Sequence, residues 1–353
     1  MKIIHAADLH LGSPIDNKRK NISDVRKREV RNSFSRLADY AKENGVSVLL
    51  LSGDVFDSDT PSSKDKKFFY DVIRRYPEIT FYYLKGNHDR YGLDENVPEN
   101  LKRFSVVWTS YPLGGNIVLS GIERAKDNVL SLYDTLSLDQ RKTNIVRLHG
   151  AIQDKPGMDG ICLRKLKDKN IDYLALGHIH SYQQGRIDDR GSYAYPGCLQ
   201  GRGFDEIGEK GFILLTIENQ RIKKEFVPFS HIVIHEETID ITSRSSVPDI
   251  VRKIKSTVPF NPNDVYRIIL KGDVKEDAEF TAEDIETQLS GLARLINVKK
   301  LTGVQFDTEK LKSDPFLRGE FYRLVVSDST LSEEDKQYII ALGLAALANK
   351  ELF

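Results

Sequence analysis

The sequence predicts an α/β protein. Strands and helices alternate through its first half, a more antiparallel sheet closes that part, and a small α+β unit and C-terminal helices follow. Three observations predict it. Apolar runs such as Val46 to Leu51 are continuous, as in strands buried on both faces. The segments between such runs place apolar residues at helical spacing. Each run also ends at a short cluster of Gly, Asp, Asn or His, the pattern of loops at one rim of a sheet.

The elements follow in order. Ile3 to Ala7 is a strand that ends at Asp8-Leu9-His10. A basic helix runs from about Ile22 to Asn44, with Val30, Phe34, Leu37, Ala38 and Ala41 on one stripe and Asn44-Gly45 as its stop. Val46 to Leu51 is a strand that ends at Gly53-Asp54, with Asp57 just beyond. Lys64 to Arg75 is a helix, and Ile79 to Leu84 is a strand leading to Gly86-Asn87-His88-Asp89. Ile145 to Leu148 ends at His149-Gly150, and Tyr173 to Leu176 ends at Gly177-His178-Ile179-His180. Four shorter strands, Tyr182 to Ile187, Ser192 to Tyr195, Gly211 to Ile217 and Ile222 to Val227, complete a first domain over 1–230. An α+β unit covers 231–302, with strands Ile232 to Ile239 and Tyr266 to Leu270 and helices Pro248 to Ser256 and Ala282 to Leu289. The segment 303–353 is mostly helical, and Ser332 with Asp335 makes a capping-box-like start there.

A chain of 353 residues is longer than one average domain. Its 52 Lys and Arg balance 52 Asp and Glu, which excludes gripping nucleic acid by bulk charge and leaves room only for a local basic patch. Cys162 and Cys198 are far apart, in no metal-binding spacing, and fit a reducing compartment. No segment approaches the roughly 20 apolar residues of a membrane span. A candidate ligand at position 8 argues against a cleaved signal peptide. The expectation is a cytoplasmic protein without membrane contact.

Five of the eight histidines fall inside the five motifs. Imidazole and carboxylate hold divalent cations. Two such cations ~3.5–4 Å apart hydrolyse phosphoesters by lowering the pKa of bound water and clamping the phosphate oxygens. Asp54, alone at a strand tip, is the candidate bridging carboxylate. Asp8 and His10 reach one ion from one loop, Asn87 offers a neutral oxygen, and His149, His178 and His180 complete the set. In extended chain an i, i+2 pair points to opposite faces, so His178 and His180 suit one metal each. His88 is left over at the rim as the proton donor to the leaving oxygen, and Asp57 is the candidate to hold its imidazolium form.

The motifs Ala7-Asp8-Leu9-His10-Leu11-Gly12, Gly53-Asp54-Val55-Phe56-Asp57 and Gly177-His178-Ile179-His180 resemble the calcineurin-like metallophosphoesterases. The same residues carry a closer likeness to the SbcD-type DNA repair exonuclease subunits, and Tyr195-Pro196-Gly197-Cys198, followed by Lys210-Gly211-Phe212, also matches. The resemblance covers about residues 1–230. It implies a two-sheet αββα metallophosphoesterase sandwich followed by a small α+β cap. It also implies two Mn²⁺, one held by Asp8, His10, Asp54 and His180, the other by Asp54, Asn87, His149 and His178, with His88 catalytic. It further implies a nuclease acting on DNA as a homodimer, with an SMC-like ATPase bound through the C-terminal helices. Family members commonly carry Ser at the position of Cys198.

Each motif alone is weak: Asp-x-His is commonly a surface pair, and Gly-Asn-His-Asp a turn. Their joint placement after five strands carries the reading. Lys18, Arg19 and Lys20, and Arg202 after the Gly197 turn, are candidate phosphate contacts, with a solvated helix face as the plain alternative for the basic run. His5, His231 and His235 read as structural or surface residues. A small-substrate phosphatase or cyclic-nucleotide phosphodiesterase shares the same metal site, and a non-catalytic scaffold subunit is the third reading.

Overall fold

The computed structural model describes residues 1–13, 20–89, 93–94, 96–275 and 278–347, the side chains of 20–25 and 345 excepted. Lys18, Arg19 and the side chain of Lys20 therefore lie outside the described residues. The chain divides into two compact units, Met1–Ile234 and His235–Phe353.

The first unit is built on two six-stranded sheets. One contains β1 (Lys2–Ala6), β2 (Val48–Ser52), β3 (Thr80–Leu84), β4 (Leu101–Arg103), β13 (Gly211–Glu218) and β14 (Arg221–Pro228), in the order β14-β13-β1-β2-β3-β4. Strands β1 to β4 are parallel, and β13 and β14 extend the sheet antiparallel. The other contains β5 (Thr109–Gly114), β6 (Ile117–Gly121), β7 (Thr143–His149), β10 (Tyr173–Gly177), β11 (Gln183–Arg186) and β12 (Ser192–Tyr195), in the order β11-β12-β10-β7-β6-β5. A two-stranded ladder, β8 (Ala151–Ile152) with β9 (Gly160–Ile161), follows His149.

Side-chain alternation explains the layers. Ile3, Leu50 and Tyr82 of the first sheet meet Leu119, Ile145 and Tyr173 of the second in one core between the sheets. Their neighbours Ile4, Leu49 and Phe81 point the other way, onto Phe34 and Leu37 of α1 (Lys20–Glu43) and Phe69 and Ile73 of α2 (Ser63–Arg75). Ser62 caps α2 by accepting from Asp65 N–H at 3.1 Å. On the far face of the second sheet, Val146, Leu148, Leu174 and Leu176 pack with Leu132 and Tyr133 of α3 (Leu132–Thr135) and with Leu166. The result is an αββα sandwich whose parallel strands end at one rim.

Two polar side chains pin the sheets together. His5 is fully buried, with Nδ1 2.8 Å from Tyr173 Oη and Nε2 3.1 Å from Leu176 O. Burial pushes its pKa down to about 3. Arg147 is also fully buried and donates to Tyr82 O (2.9 Å), Ser52 Oγ (3.3 Å) and Leu51 O, which ties β7 to β2 and β3.

The second unit has a three-stranded sheet in the order β15-β16-β17, from β15 (Ile234–Asp240), β16 (Val265–Lys275) and β17 (Leu295–Gln305). The helices α4 (Val247–Thr257) and α5 (Ala282–Leu289) cover it through Ile250, Ile254, Ile285 and Leu289. Helices α6 (Thr308–Ser313), α7 (Leu317–Ser327) and α8 (Glu333–Leu347) share a separate small core around Tyr322, Ile340 and Leu344. The cap of α8 forms, with Asp335 N–H donating to Ser332 Oγ at 3.1 Å. Strands β4, β5, β6, β8, β9 and β17 were not expected. β5 carries Pro112 and half-exposed side chains, and most of β17 is exposed, so neither has an apolar signal. Among the described residues no helix is long and apolar enough to cross a membrane.

Candidate metal centre

All five motifs lie just past, or at, the C-terminal ends of β1, β2, β3, β7 and β10. The loops after β1 and β2 travel together: Asp8 N–H donates to Gly53 O (3.0 Å), His10 N–H to Asp54 O (3.0 Å) and Leu11 N–H to Val55 O (2.8 Å). Four of the nine described non-glycine residues with positive φ are candidate ligands: Asp8, His10, Asp54 and His178. The other five are Asp, Asn, Gln or Ser away from the motifs. Strained backbone concentrated at donor atoms marks a site held in place by its surroundings.

Close approach explains two of the glycines. A Cβ on Gly53, whose φ is +94°, would lie 2.1 Å from His149 Nδ1, and one on Gly86 would lie 2.1 Å from Asp54 Oδ1. Neither space admits a side chain, so the β2 loop packs directly on His149 and the β3 loop directly on Asp54.

Among the described residues the donors form two groups that share no member, and a third, His10 with Asp57 and His88, that overlaps the first. The ligand atoms of Asp8, His10 and His180 lie within 4.8 Å of one another, and so do those of Asp54, His149 and His178. Asn87 belongs with the second group, its Oδ1 3.0 Å from both His149 Nε2 and His178 Nδ1. Asp54 meets the β7 and β3 loops: Oδ2 is 3.3 Å from His149 Nε2, and Oδ1 accepts from His88 N–H at 2.9 Å. Asp8 accepts from His178 N–H at 2.9 Å, which links the β1 and β10 loops. His178 and His180 do divide between the two groups.

The arrangement of donor atoms suits cations. His149 Nδ1–H donates to Ser52 O at 2.9 Å, which leaves its Nε2 lone pair facing the oxygens of Asn87 and Asp54. His10 Nδ1 lies 2.7 Å from Asp57 Oδ1, a close though poorly aligned contact, and His180 Nδ1 lies 2.8 Å from Glu206 Oε1. With protons on those Nδ1 atoms, the Nε2 lone pairs of His10 and His180 face each other at 3.1 Å. In the neutral rings such lone pairs repel unless a positive charge lies between them; a proton supplies it in the metal-free site, where the pKa values of His149 and His180 are raised, and a divalent cation can take its place because these donor types suit one.

The charges in the site are tuned accordingly. Burial pushes Asp8 up to about 7. For Asp54 burial acts upward too, but the hydrogen bond and charge of His149 outweigh it and hold the carboxyl well below the ordinary range. Burial opposes protonation of His149, yet the Asp54 bond and charge raise it to about 9. Burial lowers His10, and burial with the neighbouring His149 lowers His178.

One expectation is extended and one corrected. Asp57 meets more than His88: its Oδ1 lies 2.7 Å from His10 Nδ1 and accepts from Arg202 Nη1 at 2.7 Å, and its carboxylate also lies within 4.8 Å of a His88 ring nitrogen. Arg202 is no open phosphate contact. It is mostly buried and committed to Asp57 and Glu206, because the turn after Gly197 folds it under the rim rather than out to solvent. His88 is exposed at the rim, its ring edge-on to His10 with centroids 5.2 Å apart. His5 is structural and fully buried, and His231 is exposed. His235 pairs with Asp264 at 3.1 Å and stacks on Tyr266. Cys162 and Cys198 are buried free thiols.

Sequence reading missed Glu206, Asp89 and Arg124. Glu206 stands in a loop without periodicity, so nothing local announces it. Asp89 closes a quoted motif but had no role. It is fully buried and accepts from the N–H groups of Val55 (3.1 Å), Phe56 (2.9 Å) and Gly86 (3.2 Å), which clasps the β2 and β3 loops. Arg124 donates to His149 O (2.9 Å) and Gly160 O (2.9 Å).

A parallel-sheet rim carrying two imidazole and carboxylate groups defines a metal-dependent phosphoester hydrolase. Residues 1–182 match the Calcineurin-like phosphoesterase family, and the chain belongs to it. The family uses divalent metal ions, and the two donor groups fit them. The chain is similar to the uncharacterized metallophosphoesterase YhaO of Bacillus subtilis, with 29% identity over 73% of this chain and 67% of YhaO. It is also similar to the DNA double-strand break repair protein Mre11 of Methanosarcina acetivorans, with 23% identity over 85% of this chain. It spans half the length of that relative. With Mre11 of Thermoplasma acidophilum the identity is 21% over 94% of this chain and 91% of the relative.

Proposed function

We propose that this chain is a Mn²⁺-dependent nuclease of the SbcD type, which hydrolyses DNA phosphodiester bonds in the cytoplasm as a homodimer with an SMC-like ATPase partner. The observation that carries the DNA reading is the reach of the likeness. Relatives named as DNA double-strand break repair proteins align over 85% and 94% of the chain, well past residue 182 where the phosphoesterase match ends. A second unit has no evident use in cleaving a small ester.

In this reading Asp8, His10, Asp54, Asn87, His149, His178 and His180 hold the cations. Those cations supply charge neutralisation at the phosphate and lower the pKa of bound water. His88, exposed beside His10, protonates the leaving oxygen, and its backbone N–H bond to Asp54 holds it at the rim. The ATPase partner is assigned to α7 and α8, where Phe316 is 76% exposed and Leu317, Leu324 and Tyr338 are exposed as well.

The test is hydrolysis of end-labelled linear duplex by the full chain, with Mn²⁺ and with chelator, beside a chromogenic phosphodiester. Metal-dependent release of labelled nucleotides is the expected result. Turnover of the chromogenic ester with intact DNA overturns the nuclease reading in favour of a small-substrate phosphodiesterase. Metal binding with turnover of neither leaves the scaffold reading.

A further inference from the structure

The two cation subsites differ in what stands behind them. Behind His10 and His180 lies a closed brace. Asp57 holds His10 Nδ1 and Glu206 holds His180 Nδ1, at 2.7 and 2.8 Å. Arg202 joins the two carboxylates: Nη1 donates to Asp57 Oδ1 at 2.7 Å, Nε to Glu206 Oε1 at 3.0 Å, and its backbone N–H to Glu206 Oε2 at 2.7 Å. The side chains are 1% (Glu206), 15% (Asp57) and 16% (Arg202) exposed, so solvent screens them little. A planar guanidinium fixes the separation of two carboxylates in a way that an ammonium does not.

Behind the Asp54–His149–His178 subsite the support is of another kind. His149 rests on a neutral carbonyl, Ser52 O, and its own carbonyl accepts from the Arg124 cation at 2.9 Å. His178 turns Nδ1 to Asn87, itself a member of the donor set. One subsite is thus backed by two carboxylates sharing one guanidinium, the other by a dipole and a cation. Carboxylates behind imidazoles raise their basicity and fix their orientation.

We propose that Arg202 is a positioning residue which, through Asp57 and Glu206, makes the Asp8–His10–His180 subsite the tighter cation site, so that it fills first. The inference rests on the metal-centre reading but not on the substrate.

Calorimetric titration of the full chain with Mn²⁺, with bound ion counted by electron paramagnetic resonance, tests it. The wild type is expected to show two classes of site at least about tenfold apart. Glu206→Gln and Arg202→Met are expected to weaken the tighter class about 10–100-fold and to leave the weaker class in place. Arg202→Lys keeps the charge but loses the fork, and is expected to resemble Arg202→Met. Thermal unfolding checks each variant, and the near-isosteric Glu206→Gln decides the matter where Arg202→Met does not fold. Two equal classes in the wild type, or a loss spread evenly over both classes in Glu206→Gln, overturns the proposal. A wild type that binds no Mn²⁺ fails differently, since it removes the metal centre itself.

Discussion

The two units depart from ordinary protein composition in opposite directions. The first buries what is normally exposed: Asp8, His10, Asp54, Asp89, Arg147, His149 and Glu206 are all buried, several on strained backbone. The second exposes what is normally buried, with Phe316, Leu317, Leu324 and Tyr338 facing solvent on α7 and α8. Each departure costs stability, and the first unit exposes apolar side chains as well, Val107 and Leu130 among them. Buried polar groups are tolerated in the first unit because two sheets and their helices over-determine the rim. Exposed apolar groups in the second lie outside its small cores, where nothing depends on them internally.

That contrast can be broken at several points. The largest effect is expected at His88, which is exposed and is not among the seven proposed ligands. His88→Ala should lower hydrolysis roughly a hundredfold to ten-thousandfold while Mn²⁺ binding and unfolding temperature stay near wild type. Full activity in that variant would remove His88 from the chemistry.

Next comes the buried His5. Its folded pKa of about 3 lies below the unfolded value, so the neutral form is the one that stabilises. This stabilisation is complete above about pH 6.5 and is lost progressively as pH falls from there toward 3. The whole excursion amounts to roughly 3–5 kcal/mol. Urea unfolding of the metal-free protein across that window should be shallower in pH for His5→Gln than for wild type. Parallel pH profiles would show that the inter-sheet histidine is not neutral in the fold.

Gly86→Ala forces a Cβ against Asp54 Oδ1, and a cost of roughly 2–4 kcal/mol is expected, with weakened metal binding. A variant as stable as wild type would mean that the β3 loop can retreat, and that the rim is softer than its packing suggests. The smallest effect is expected in the second unit. Phe316→Ser and Leu324→Ser should change unfolding free energy by less than about 0.5 kcal/mol and leave basal hydrolysis alone. Pull-down with the proposed SMC-like ATPase partner should nevertheless drop. Marked destabilisation would show that these side chains serve the fold rather than a partner.

Much of this was legible in the chain itself. Strands β1, β2, β3, β7 and β10 announce themselves as apolar runs, and each ends at a motif, because strand and rim loop are contiguous in sequence. The metal donors follow from that alone, since imidazole and carboxylate types are chemically specific. The strands β5 and β17 escaped because their faces are half wet: Pro112 interrupts β5, and most of β17 is exposed.

What the sequence determined by itself, then, is the list of donors and their place at strand ends, because both are local properties of a few consecutive residues. The tertiary structure alone decided who stands behind each donor. It set Asp57 against His10 as well as near His88, and it drew Arg202 off the surface to join Asp57 to Glu206. Asp57 and Arg202 are 145 positions apart in the chain. They meet because the first sheet and the turn after β12 are brought to one rim, with the sheets pinned by His5 and Arg147, and no periodicity in the sequence records a contact made at that distance.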